Sequence, residues 1–143
     1  MGASAGGGHL NTETERRLTA WVPAAAYVLL IFGVSSIPQL RPVIGEFKLS
    51  DKVSHFAEYS GLGALVLWAF MKTLPDRRRR WAILYTVGLG ALIGILDELY
   101  QVTVPGRLFE GLDWVADVTG ALFGALVAAL VYHGMMKRRE GKA

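Results

Sequence analysis

Four long, largely apolar stretches, at 18–37, 53–71, 81–100 and 114–133, alternate along the chain with short polar connections. At about 1.5 Å of rise per residue, a helix of about 20 residues covers the roughly 30 Å of a bilayer's hydrocarbon core. The pattern therefore predicts an all-α integral membrane bundle of four transmembrane helices. Pro23 falls near the start of the first stretch, where a missing backbone donor is tolerated. Ahead of it, a Gly/Ala/Ser-rich opening and a polar segment predict a disordered cytoplasmic tail over residues 1–17, with His9 a solvated residue in it. Arg16 and Arg17 before the first stretch, and Val34, Ser35 and Ser36 at its end, also fit a secretory signal. The stretch exceeds the usual signal core of about 7 to 15 residues, so it is expected to stay as a span. A membrane domain over 18–136 and a basic cytoplasmic tail over 137–143 complete the predicted organisation.

Composition supports this reading: 52% of the 143 residues are hydrophobic, and the mean hydropathy of +0.36 is high for a water-soluble domain. The absence of cysteine excludes disulfides and thiolate metal sites. A net charge of +3 and a pI near 9.4 do not indicate nucleic acid, because the basic residues sit in clusters beside the apolar runs. Arg16, Arg17, Lys72, Arg77, Arg78, Arg79, Arg80, Lys137, Arg138, Arg139 and Lys142 fall on one side of a four-helix hairpin arrangement. Arg41, Lys48, Lys52 and Arg107 fall on the other. The basic-rich side is expected to be cytoplasmic, which puts both termini inside a multi-pass protein of the inner (plasma) membrane. Acids divide the opposite way, with only Glu13, Glu15, Asp76 and Glu140 on the basic side.

The acidic residues at the opposite ends of the helices carry the candidate chemistry. Asp51, His55 and Glu58 stand at i, i+4 and i+7 and share a helical stripe, with Lys52 about 100 degrees round. Asp97 and Gln101 pair at i, i+4, as do Asp113 and Asp117, and Glu98 lies beside the former pair. If these stripes face inward, the groups converge on one outer-leaflet pocket, with Arg107 above it in the turn VTVPGRLF and Pro105-Gly106 supplying the bend. GALIG at 90–94 and GALFG at 120–124 fit the small-xxx-small pattern for close helix packing and are also a candidate homo-oligomer face. Trp81, Trp114 and Tyr100 at span ends read as an interfacial belt. HExxH, GxSxG and Walker motifs are all absent.

The two motifs DKVSHFAEYSGLG and GILDELYQVTVPGRLFEGLDWVADVTGALFG, in that order, resemble the VanZ-like family of small bacterial membrane proteins over residues 35–125. The resemblance singles out Asp51, Lys52, His55, Phe56 and Tyr59 in the first motif. In the second it singles out Asp97, Glu98, Gln101, Pro105, Arg107, Asp113, Asp117 and Gly120. It implies a membrane location and a link to teicoplanin, that is, to glycopeptide antibiotic resistance at the cell envelope. Two positions depart from the family pattern: Glu110, where a small polar residue is commoner, and Asp117, where Asn is frequent.

Three functional expectations follow. In the first, the pocket engages a lipid-linked envelope precursor or a glycopeptide, with Asp51, Lys52, Gln101, Arg107, Asp113 and Asp117 as binding residues. In the second, the protein is a membrane enzyme acting on a phosphorylated or lipid-linked substrate, with His55, Glu58, Asp97 and Glu98 as candidate acids, bases or ligands. A divalent metal would suit such carboxylates, and His55/Glu58 has ligand-compatible i, i+3 spacing. In the third, the charges pair among themselves and only fix helix register.

Overall fold

The structure, a computed structural model, describes residues 12–38 and 49–141. Every regular element among them is helical: α1 (Thr12–Ser35), α2 (Leu49–Thr73), α3 (Asp76–Arg79), α4 (Ala82–Gln101) and α5 (Gly111–Glu140). The four long helices correspond to the four predicted stretches, and α3 is one short turn inside the loop LPDRRRRW. The tail expectation for residues 1–11, with His9, the polar connection at 39–48, and the last two residues lie outside the described residues.

The predicted disorder is corrected at 12–17, which form the opening of α1. Glu13 and Glu15 occupy the first turn, where the helix dipole favours negative charge, and Glu13 pairs with Arg17 at 2.7 Å across one turn. Composition alone misses this because the segment is polar but continuous with an apolar helix. The early start also places Pro23 within the helix, not near its first turn.

Three helices, α1, α4 and α5, are long and apolar enough to cross a membrane. The exception, α2, carries Asp51, Lys52, His55 and Glu58 in its first ten residues. Yet α2 is the centre of the bundle. Its Tyr59, Leu62 and Val66 pack against Ala24 and Ile31 of α1, and its Leu67 and Met71 against Ala82 of α4 and Ala125 of α5. Large apolar side chains cover the outside, among them Leu29 at 75% and Leu130 at 74% exposure. A shell of that kind fits lipid and not water.

Glycine sets how closely α2 and α5 approach. A Cβ at Gly120 would strike the Phe56 carbonyl, one at Gly124 the Ser60 carbonyl, and one at Gly63 the Ala121 carbonyl. Gly90 and Gly94 do the same for α4 on α5, where a Cβ would stand 2.7 Å from the Ala121 Cβ and 2.9 Å from Asp117 Oδ2. Both small-residue motifs are thus used within the chain. All four of their glycines are buried, which corrects the expectation that they present a face to a second copy.

Gly124→Ala forces backbone apart and is expected to destabilise by about 1 to 3 kcal/mol, the usual range for overpacking. Gly88→Ala, where nothing lies within 4 Å of the added carbon, should be neutral or stabilising. Thermal unfolding of the two variants in the same detergent checks the contrast.

Candidate functional site

The ends of α1, α2, α4 and α5 bring Ser35, the Lys52–Tyr59 stripe, Asp97 to Gln101 and Asp113 to Asp117 to one end of the bundle. On α2 the inward stripe is Lys52, His55 and Tyr59, at i, i+3 and i+7, with Asp51 and Glu58 half-buried on its flanks. This rotates the predicted Asp51/His55/Glu58 stripe by about one residue and brings Lys52 to the centre. The close approach of α5 decides the rotation, because Gly120 lies on the Phe56 backbone. Asp117 and Asp113, about one and two turns earlier on α5, therefore face α2.

Lys52 Nζ reaches Asp113 Oδ1 at 2.6 Å and also pairs with Glu110. His55 Nδ1 meets Asp117 Oδ1 at 2.9 Å, and its Nε2 stands 3.9 Å from Asp113 Oδ2. From α4, Gln101 donates to Asp97 Oδ2 at 2.9 Å and lies 3.5 Å from the Ser35 hydroxyl of α1. Arg107, in the turn after α4, donates to Gln101 Oε1 at 3.1 Å and to the Ile37 carbonyl at 3.3 Å. Glu98 accepts the Glu110 backbone N–H at 2.8 Å. Gly106, at φ 80°, supplies the left-handed residue that bends this turn.

Sequence reasoning missed two members of this network. Ser35 read as a small residue of a cleavage region, and Glu110 only as a departure from a family pattern; neither contact has a local signal. Trp114, expected in an interfacial belt, instead donates its indole N–H to the Ala91 carbonyl at 3.0 Å. Trp81 remains exposed.

Burial separates two layers. Asp51, Arg107 and Glu110 stand at the rim, while Asp97, Glu98 and Asp117 are at most 1% exposed. Asp97 Oδ1, Glu98 Oε1, Asp117 Oδ2 and the Tyr59 hydroxyl have no hydrogen-bond partner among the described residues. Among the described residues, His55, Glu98 and Asp117 form a group able to hold a metal ion, their ligand atoms lying within 4.8 Å of one another. Glu58, paired with His55 by spacing, is not in that group. Between the layers lies a cleft of about 20 Å³, lined by Asp51, His55, Gln101, Arg107, Leu108, Glu110 and Asp113. It admits a single water-sized group, so the convergence leaves a narrow cleft and not a headgroup-sized pocket.

A larger recess of about 750 Å³ opens at the other end of the bundle, beside Arg16, Arg17, Lys72 and Arg79. Arg17 and Arg79 are paired there with Glu13 and Asp76, and no buried titratable group faces it.

Among the described residues, an all-helical bundle with three helices long and apolar enough to cross a membrane, and a buried carboxylate–imidazole cluster at one end, fits a small membrane protein. The family model described as VanZ/LLP1 matches residues 5–132, and the chain belongs to that family. No curated protein and no solved structure matches the chain.

Lys52→Ala leaves Asp113, 5% exposed, without its cation, and is expected to cost about 3 to 5 kcal/mol, the range for breaking a buried pair. Arg17→Ala, whose partnership is exposed on both sides, should cost about 0.3 to 0.5 kcal/mol. Chemical or thermal unfolding of the detergent-solubilised variants checks the ratio.

Proposed function

We propose that the protein crosses the bacterial inner membrane four times, with α2 as the fourth span and both termini cytoplasmic, and that its extracytoplasmic polar end engages the headgroup of a lipid-linked envelope precursor or a glycopeptide. Membership of the VanZ/LLP1 family and the apolar outer shell support the membrane setting. The separation of basic and acidic ends supports the orientation. Residues 1–17 and 137–143 are then the cytoplasmic flanks of a membrane domain at 18–136.

The observation that carries the binding reading is the state of two cations, Arg107 at the rim and Lys52 held beneath Glu110. Arg107 uses two of its five donors on Gln101 and Ile37 and offers the others to an incoming oxyanion. Lys52 is held by one buried acid, Asp113, and one exposed acid, Glu110, whose side chain is 51% exposed. Because the cleft takes only one water-sized group, a phosphate or carboxylate would dock by its edge at the rim and displace Glu110 from Lys52. Asp51, Gln101 and Asp113 border the same opening, while Asp117 lies below it. A link to teicoplanin resistance would follow from occupying or altering access to such a precursor.

A second reading, a membrane enzyme, draws on one feature: His55 is oriented through Nδ1 by Asp117 and also lines the cleft. That is the arrangement of a general base held by a carboxylate. Glu58, Asp97 and Glu98 would be its acidic neighbours. Product formed from a polyprenyl phosphate by the wild type but not by a folded His55→Gln protein would select this reading over binding alone.

Three outcomes are expected. With no native cysteine, an impermeant maleimide should label Leu108→Cys in intact cells and Asp76→Cys only after permeabilisation; the reverse pattern overturns the orientation. In equilibrium binding to the reconstituted protein, with a polyprenyl phosphate and teicoplanin as separate probes, Arg107→Gln should weaken the bound probe by about tenfold. That is the loss of a charge-assisted hydrogen bond at about 1.5 kcal/mol. Glu110→Gln should strengthen binding of the same probe, because it frees Lys52.

A further inference from the structure

We infer that the deepest layer of the cluster is a divalent-cation site, with one imidazole nitrogen of His55 and one carboxylate oxygen each from Glu98 and Asp117 as its protein ligands. The inference does not depend on which headgroup, if any, docks at the rim.

Charge is the first reason. Among the described residues, Asp51, Glu58, Asp97, Glu98, Glu110, Asp113 and Asp117 face two permanent cations, Lys52 and Arg107, and the imidazole of His55. Lys52 is taken by Glu110 and Asp113, and Arg107 bonds only to an amide and a carbonyl. The three acids at most 1% exposed therefore have no Lys or Arg of their own among the described residues. Asp97 is met by Gln101, Glu98 by a backbone N–H, and Asp117 by His55. Buried ionised carboxylates without a counter-charge are among the costliest arrangements in a protein interior.

Unfilled valence is the second. Glu98 Oε1 and Asp117 Oδ2 lie in residues that are 0% exposed and have no donor within reach. Native interiors satisfy the large majority of such atoms, so two on the same three-residue group point to an absent electrophile. A proton on each carboxyl would answer the charge but would add two O–H donors, which need acceptors in their turn.

Geometry is the third. Neighbouring ligands on a tetrahedral Zn²⁺ stand roughly 3.4 Å apart, since metal–ligand distances are about 2.0 to 2.2 Å. A set already within 4.8 Å closes on such an ion by side-chain movements of about an ångström. The three ligands come from three helices, α2, α4 and α5, whose spacing the buried glycines hold rigidly. One nitrogen and two oxygens suit Zn²⁺ or Mn²⁺ better than a cation taking oxygen alone. Three protein ligands also leave coordination open for water or for a group entering through the cleft that His55 lines.

The test uses the full chain, purified in detergent, stripped with EDTA and reloaded with Zn²⁺ or Mn²⁺ in the absence of any added lipid. Elemental analysis should find one ion per chain, and His55→Gln and Glu98→Gln should each weaken calorimetric affinity at least about tenfold. Because either substitution could disturb folding, the assignment rests on a protein with an intact cluster. The double variant His9→Gln/His133→Gln keeps His55 as its only histidine. Loaded with Mn²⁺, it should retain full occupancy and show electron-spin-echo coupling to one imidazole nitrogen. Sub-stoichiometric metal in the wild type, or loss of that nitrogen coupling in the double variant, overturns the site. Because no lipid enters these measurements, their failure is separate from any failure of headgroup docking.

Discussion

The backbone contact between α2 and α5 is the constraint on which the rest of the molecule depends. Gly120 and Gly124 lie against the carbonyls of Phe56 and Ser60, and Gly63 against that of Ala121. Any side chain at these positions would push the helices apart. At the separation the glycines permit, short side chains one or two turns away can meet across the interface. Asp117 reaches His55, and Asp113 reaches Lys52. Packing energetics and polar chemistry are thus one problem here: a longer interhelical distance would leave the same acids buried but unpaired.

Much of this was legible in the order of residues. The four long helices follow from four apolar runs, because length and hydropathy are local properties. The polar residues drawn together at one end follow from where the acids interrupt those runs. The exact inward stripe on α2 was not legible. Asp51, Lys52, His55 and Glu58 are all polar, so periodicity could not choose between the stripe with Asp51 and the one with Lys52; the glycine contact on a distant helix does. Thr12 likewise begins a helix because an apolar continuation follows it, which composition over residues 12–17 does not register. Ser35 and Glu110 join the cluster through contacts with Gln101, Lys52 and the Glu98 carboxylate, none of which is near in sequence.

The hydropathy of α2 illustrates the same point from the other side. It is the one long helix outside the set apolar enough to cross a membrane, and it is also the one with the richest buried face. A helix surrounded by α1, α4 and α5 presents little surface to lipid, so its polar first half meets protein groups in place of hydrocarbon. Intramembrane charges are tolerated where they face a bundle interior. The outer helices carry the apolar exposure, as Leu29, Leu92 and Leu130 show, and the central one is released to carry the polar residues.

That release does not explain why the acids outnumber their partners. If the cluster served only to hold helix register, paired charges would suffice, and the Lys52–Asp113 contact is such a pair. Asp97, Glu98 and Asp117 go further: they are enclosed, they converge from α4 and α5, and each keeps an oxygen that nothing among the described residues satisfies. Removing them in favour of apolar residues would relieve the desolvation cost at little expense to packing, since replacing buried ion pairs in that way is often neutral or stabilising. A purely structural role therefore accounts for the upper layer of the cluster and not for the lower one. The lower layer makes physical sense as a receptor for positive charge that the described residues do not themselves supply, reached through the cleft that His55 lines.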